Sequence, residues 1–484
     1  MNWRTISRNV GFALLVSALF MFLSVIVSML NGNDSALAAL SISFLITFIS
    51  GIFPFIFVRK TSAISLKEGF TIITLSWLFS FIFGMLPYAL WGGQFTIQNA
   101  WFESVSGFTT TGATILQNVE ALPDSLLFWR SSTHFIGGLG VVVFLLLIIP
   151  GSSPIKMKLT NMELSSISKS NYKARSNKTV YIFAYVYLAI CIAAFLLYLL
   201  AGMPAFDAIC HAMSVCACGG FSTRNLSIAA FGSRSIELIT MVMMLLASLH
   251  FGLLYLAVVN RSLKPLNNPV LKCYLACLLV FSVFVGVSLK ACGAAETLGT
   301  AMWQGTFQTL SVASTTGFAI TDNATWPLLP DFALMLAAVM CGCAGSTTGG
   351  LKVDRVLVLF KTIGRRIGNV LHPSSVNEVK LGKRILRDDE VAPQLVYIAL
   401  YFVILAASCL IGLMMGMNDH DAFSAALASL SNVGPASREL GFMGNFGGIP
   451  SAAKFLYTFD MFLGRLEIYP VIAVVAMIFD GRKR

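Results

Sequence analysis

One short design occurs four times in this chain, and it limits the folds open to it more than any other feature. Its fullest copy is Ser-Val-Ala-Ser-Thr-Thr-Gly-Phe-Ala-Ile-Thr-Asp, Ser311 to Asp322. The others are Thr-Thr-Thr-Gly-Ala-Thr (Thr109 to Thr114), Ala-Cys-Gly-Gly-Phe-Ser-Thr (Ala217 to Thr223) and Ser-Asn-Val-Gly-Pro-Ala-Ser (Ser431 to Ser437). Each copy ends an amphipathic segment too brief to cross a bilayer, flanked on both sides by apolar runs long enough to do so. That is the pattern of a re-entrant loop. The central residues Gly112, Gly220, Gly317 and Gly434 recur at intervals of roughly a hundred residues, an internal repeat. Four like loops from one chain can ring a common axis. Glycine is the residue that turns successive carbonyls toward such an axis without steric cost.

Composition places the loops in a membrane. Of 484 residues, 57% are hydrophobic and 11% charged, and the mean hydropathy is +0.80, which no soluble surface of this size tolerates. The net charge of +11 reads as basic cytoplasmic loops rather than nucleic-acid binding. Most of the ten cysteines lie within apolar runs, and Cys216/Cys218 and Cys341/Cys343 lack partners at metal spacing, so neither a disulfide framework nor a zinc site is expected. Val10 to Leu30 is longer than a secretory core and reads as a retained first helix.

In chain order, spans are expected at about Arg8–Leu30 and Ala36–Val58, which carry no loop. Four span–loop–span repeats follow, at Phe70–Trp91 and Leu126–Pro150, Val180–Ala201 and Ile236–Asn260, Pro269–Cys292 and Asp331–Phe360, and Pro393–Met415 and Ala452–Phe479. Half-helices are expected at Gln98–Phe108, Phe206–Val215 and Glu296–Ala313. Eleven residues of helix reach about 16 Å, half the hydrocarbon thickness. Basic stretches after the second span (Arg59, Lys60, Lys67), between the first two repeats (Lys156 to Lys178), after the second (Arg261, Lys264, Lys272), in a linker Lys361 to Arg387 and at the C-terminal Gly-Arg-Lys-Arg all fall on one side. Ten crossings with both termini cytoplasmic satisfy them. The expected fold is an all-α polytopic membrane protein in which four M1–pore loop–M2 repeats stand in pseudo-fourfold arrangement behind two extra N-terminal transmembrane helices. Its units are 1–68 (the extra pair), 69–155, 156–265, 266–391 and 392–484.

The four loops resemble the pore loops of the Trk/Ktr/HKT superfamily of potassium transporters, and the whole chain resembles its Trk-type membrane subunit. Ile136 to Val143, Cys341 to Val353, His372 to Gly382 and Gly464 to Ile468 carry the same likeness. The resemblance implies selective passage of K⁺ and Rb⁺ across a bacterial inner membrane, with no covalent chemistry. The filter would be lined by backbone carbonyls of Thr110, Thr111, Gly112, Cys218, Gly219, Gly220, Thr315, Thr316, Gly317, Asn432, Val433 and Gly434, which replace the ion's hydration shell. Glycine at all four centres resembles the potassium-selective members. The resemblance also implies a homodimer on a cytosolic ring of Trk A-type nucleotide-binding subunits. No Walker or dinucleotide motif occurs here, so nucleotide control would come from that partner.

Two features leave alternatives open. Cys341, Gly342, Cys343, Ala344, Gly345, Ser346, Thr347, Thr348, Gly349 and Gly350 interrupt an apolar span, and the run alone fits a kinked helix as well as a gate beneath the filter; the resemblance implies the gate. Arg465, inside the last apolar span, fits an ion pair with Glu467 or Asp460, or a positive charge on the ion path, which the resemblance favours. Lys352 is expected to snorkel to the cytoplasm, and His134 and His250 to serve packing or hydrogen bonding. Glu103, Asp207, Glu296 and Asp421 are expected early in or just ahead of the half-helices, where they would satisfy positive N-terminal dipole ends. Coupling to H⁺ or Na⁺ is not legible. The rival functions are a Na⁺-coupled or Na⁺-permeable transporter of the same fold, an intramembrane hydrolase and a passive scaffold.

Overall fold

A computed structural model describes residues 1–58, 64–148, 176–374, 377–382 and 384–480. Arg59, Lys60, Lys156 to Arg175 and the C-terminal basic tail lie outside the described residues.

Among the described residues, regular structure is helical except for one small hairpin. Helices α1 (Trp3–Leu30) and α2 (Leu37–Phe57) form an antiparallel pair in which Gly11 and Gly51 meet. A Cβ on Gly51 would lie 3.0 Å from the Gly11 carbonyl, so the absent side chains let the two backbones touch. Asn2 caps α1, its backbone N–H also donating to Glu68 at 2.7 Å, which ties the pair to α3 (Leu66–Gly84). The first repeat continues through α4 (Leu86–Trp91), α5 (Ile97–Phe108) and α6 (Asp124–Ile148). The second comprises α7 (Ser176–Leu200), α8 (Ala205–Cys216), α9 (Arg234–Ser248) and α10 (Phe251–Val259). The third comprises α11 (Pro269–Ala291), α12 (Leu298–Ala313), α13 (Leu328–Met340) and α14 (Val353–Leu371). Strands β1 (Val379–Leu381) and β2 (Arg384–Leu386) lead antiparallel into α15 (Asp388–Met414), α16 (Asp419–Ser431), α17 (Ser451–Leu466) and α18 (Ile468–Asp480).

Among the described residues six helical stretches, one of them α3 together with α4, are long and apolar enough to cross a membrane, and the bent pair α9/α10 makes a possible seventh. The sequence reading has ten crossings with one of them broken at Cys341–Gly350; that break is present, and two that it did not foresee interrupt the second spans of repeats two and four. In repeat two, α9 and α10 meet at 102° around Leu249 and His250. The His250 imidazole caps α10 by accepting from Gly252 N at 3.0 Å, while Phe251 N donates across to the Gly345 carbonyl. In repeat three the helix stops at Met340 and resumes at Val353. In repeat four Glu467 takes φ +61°, which ends α17.

The expected basic linker Lys361–Arg387 is mostly ordered structure. Helix α14 carries Val353, Val356 and Val358 into the core and runs on to Leu371 with Ile363, Ile367, Val370 and Leu371 exposed, before the hairpin. The last M1 helix starts at Asp388 rather than Pro393, because Asp388, Asp389 and Glu390 suit a helix N-terminus, and Pro393 inside it forgoes one intrahelical bond.

Candidate functional site: four loops around one axis

The four short helices α5, α8, α12 and α16 end at the four loops, and the chain then repeats one backbone path. Thr110, Cys218, Thr315 and Asn432 take φ of 53°, 55°, 55° and 55°, and two residues later Gly112, Gly220, Gly317 and Gly434 take 81°, 80°, 78° and 88°. Four unlike sequences sharing two left-handed positions is costly at the non-glycine site. The preceding helix over-determines it. Thr110 N and Thr111 N donate to the carbonyls of Gly107 and Ser106, and the same pair of bonds recurs from Cys218 and Gly219 to Val215 and Ser214, from Thr315 and Thr316 to Val312 and Ser311, and from Asn432 and Val433 to Ser429 and Ala428. These N–H groups turn back into the helix. Among the described residues, the carbonyls of the twelve expected filter residues accept no backbone hydrogen bond outside regular elements.

The loops close on each other in cyclic order. A Cβ on Gly112 would collide with the Gly219 carbonyl oxygen, one on Gly220 with that of Thr316, one on Gly317 with that of Val433 and one on Gly434 with that of Thr111. Each glycine thus faces the carbonyl just before the next repeat's glycine, and the fourth returns to the first. All four line one open depression together with Arg130, Arg224, Asn225 and the 440–446 loop.

Side chains tie the ring together. The Asn432 amide donates to Thr111 Oγ1 at 3.0 Å and to the Met461 carbonyl at 2.8 Å. Ser106 Oγ and Ser311 Oγ each donate at 2.6 Å to the carbonyl just past their own glycine, of Ala113 and Phe318. His134 stacks on Phe221 with centroids 4.1 Å apart and meets Ser214 Oγ at 3.0 Å, a packing and hydrogen-bonding role.

The interrupted segment Cys341–Gly350 lies against the ring. Thr347 Oγ1 donates to the Cys216 carbonyl at 3.1 Å and is 3.1 Å from Cys218 Sγ, and Gly349 N donates to Thr315 Oγ1 at 3.2 Å. Cys343 N and Thr347 N bond to the carbonyls of Ser248 and Ala247, and Val353 N to that of Gly342, so the segment threads between repeats two and four. Cys341 and Lys352 at its ends take φ of 48° and 66°. Arg465, 9% exposed, donates Nη1 to the Thr347 carbonyl at 2.8 Å and Nη2 to the Gly137 carbonyl at 2.9 Å. Its guanidinium therefore joins repeats four, three and one.

The carboxylates once weighed as its partners are engaged elsewhere. Glu467 takes Arg355 at 2.7 Å and Lys352 at 3.4 Å, and Asp460 accepts from Ser408 at 2.8 Å. Lys352 is thus turned inward to Glu467 rather than snorkelling, because the left-handed Glu467 presents a buried carboxylate to both cations. Glu467→Gln would leave Arg355 and Lys352 without that charge and is expected to cost about 3 kcal/mol. A thermal melt of the purified protein checks it; an unshifted midpoint would show that the triad adds no strength.

Of the four acids expected at half-helix starts, Asp207 and Asp421 lie in the first turns of α8 and α16, and Glu296 just precedes the Thr297 cap of α12. Asp207 is paired with Arg224 at 2.6 Å, and that carboxylate raises the guanidinium pKa further. Glu103 differs. It sits mid-helix in α5 and pairs with Arg130 at 2.8 Å, both buried. Arg130 was missed in the sequence, although a charge inside the apolar run Leu126 to Ile148 is the signal that singled out Arg465.

Known proteins resemble this chain over most of its length. Residues 38–482 match the TrkH family, described as a cation transport protein. The chain is 34% identical over 390 residues to the Trk system potassium uptake protein TrkH of Salmonella typhimurium, covering 79% of this chain and 80% of that one. It is 31% identical over 486 residues to the protein of that name in Vibrio parahaemolyticus, covering 99% of both. The crystal structure of the potassium transporter TrkH from Vibrio parahaemolyticus superposes with a TM-score of 0.87 at 30% identity over 98% of each chain. The chain is therefore an all-helical, multi-span member of the TrkH family of cation transport proteins, a transporter and not an enzyme.

Proposed function

We propose that this protein is the membrane subunit of a Trk-type potassium uptake system. In this reading K⁺ and Rb⁺ cross a bacterial inner membrane through a ring of backbone carbonyls from Thr110–Gly112, Cys218–Gly220, Thr315–Gly317 and Asn432–Gly434. The observation that carries it is the cyclic contact of each central glycine with the carbonyl of the next repeat. A dehydrated cation needs oxygen ligands from all sides at once, and four like backbone paths around one axis supply them. Names of relatives that specify potassium uptake support the choice of ion.

The pathway would comprise four pseudo-fourfold repeats, with boundaries near 69–155, 156–265, 266–391 and 392–484, behind the N-terminal pair 1–68. The segment Cys341–Gly350 would be the gate, and Arg465 a positive charge beneath the filter. Both termini would be cytoplasmic. Two copies would pair on a cytosolic nucleotide-binding ring, through which alone nucleotide would act.

The second reading, a Na⁺-permeable transporter of the same fold, is weighed by one measurement. Uptake of K⁺, Rb⁺, Na⁺ and Li⁺ into vesicles holding the purified protein is expected to favour K⁺ and Rb⁺. Equal entry of Na⁺ would move the assignment to the second reading.

A further inference from the structure

The pore-helix residue nine positions before the central glycine differs in every repeat: Glu103, His211, Gln308 and Ala425. In three repeats it holds the chain beyond its own glycine. Glu103 accepts from Ile115 N at 3.1 Å and from Thr114 Oγ1 at 3.0 Å; His211 Nε2 is 2.9 Å from Ser222 Oγ; Gln308 Nε2 donates to the Thr321 carbonyl at 2.9 Å. Ala425 has no polar group with which to do so. Two of these braces reach the ring that follows the next repeat's glycine: His211 lies 5.5 Å from Phe318 by ring centroids, and among the described residues the repeat-one brace alone does so through a buried ion pair. Arg130, paired with Glu103 at 2.8 Å, donates Nη1 to the Ser222 carbonyl at 3.2 Å and Nη2 to Thr114 Oγ1 at 3.3 Å, and its guanidinium lies 4.0 Å from the Phe221 ring centroid. Phe221 directly follows Gly220.

Side-chain exposures of 2% for Arg130 and 0% for Glu103 make this a desolvated pair. Such a pair is a poor source of net stability, since desolvation offsets the attraction. Its planar fork is instead suited to fixing the distance between two strands. A selectivity ring works only if its carbonyls keep their spacing, and here a buried ion pair holds the chain just beyond two adjacent glycines, Gly112 and Gly220.

We propose that Glu103 and Arg130 are specificity-determining positioning residues, which set the spacing between the first and second filter strands and thereby the preference for K⁺ over Na⁺. The proposal rests on the filter reading above, so the wild type is the first arm of its test: a wild type that does not discriminate K⁺ from Na⁺ defeats that reading before any variant is made. Given a selective wild type, E103Q and R130Q are each expected to lower the K⁺/Na⁺ uptake ratio about tenfold, within the coupling range of neighbours in one network. They should do so while eluting as monodisperse protein. The double variant should fall no further than either single one, and E103D should keep an intermediate ratio. F221L, which leaves the ion pair and removes the ring beneath it, serves if the charge variants do not fold, and is expected to lower the ratio about threefold. An unchanged ratio in the folded variants, or losses that multiply in the double variant, would overturn the proposal.

Discussion

Gly317→Ser is expected to reduce the K⁺ over Na⁺ preference at least about tenfold, with Gly317→Ala reducing it to a similar extent. Gly317 holds φ +78°, where any Cβ is strained, and its Cβ would meet the Val433 carbonyl and lie 2.7 Å from Pro435 Cδ. Pro435 cannot yield easily, because its ring fixes the backbone on which it sits. The Val433 carbonyl must therefore move, and a displaced carbonyl is a lost ligand on one side of the ring. Serine and alanine share this backbone cost and differ in the hydroxyl. Equal effects would assign the loss to geometry, while a defect peculiar to serine would assign it to a new oxygen in the path. Ion competition during tracer uptake into vesicles reads the ratio directly, and an unaltered ratio in both variants would remove Gly317 from the filter.

Those glycines were legible because a backbone demand has few chemical solutions. A left-handed position in a narrow ring calls for glycine four times over, and repeat spacing made the four comparable. The left-handed partners Thr110, Cys218, Thr315 and Asn432 were named as ligands, yet nothing in their side chains announces the conformation; the helix carbonyls behind them impose it. The breaks were harder for the same reason. Ser-Leu-His-Phe at Ser248 to Phe251 contains neither glycine nor proline, and the bend exists because Gly345, nearly a hundred residues on, accepts the Phe251 N–H. Glu467 looks like an ordinary helical residue until Arg355 and Lys352 are placed around it. Hydropathy located the apolar segments but carries no record of which helix is interrupted by a partner from another repeat. Glu103 is expected early in its half-helix, where a carboxylate suits the dipole. Its rotation toward Ile115 and Arg130 depends on how that helix docks.

Arg465→Ala is expected to raise cation flux about tenfold, for two reasons that a second substitution separates. In the proposed pathway the guanidinium would be a positive charge beneath the filter, and in a partly desolvated site a like charge a few ångströms from a passing cation costs it several kcal/mol. It is also a latch: its two donors hold the Thr347 carbonyl of the interrupted segment and the Gly137 carbonyl of α6 together. Thr347 in turn bonds to Cys216, at the end of α8 and two residues from Cys218. Removing Arg465 therefore lowers an electrostatic barrier and frees the segment that touches the filter. Arg465→Lys keeps the charge but lacks the planar fork that spans two carbonyls. If charge is the barrier, lysine holds flux near the wild-type level and alanine raises it. If the latch dominates, both raise it, because a single ammonium on a flexible stem cannot fix two strands from different repeats at once. Flux unchanged by alanine, in vesicles with equal protein content, would show that Arg465 neither bars the path nor holds the segment across it, and would leave its two carbonyl bonds as helix packing alone.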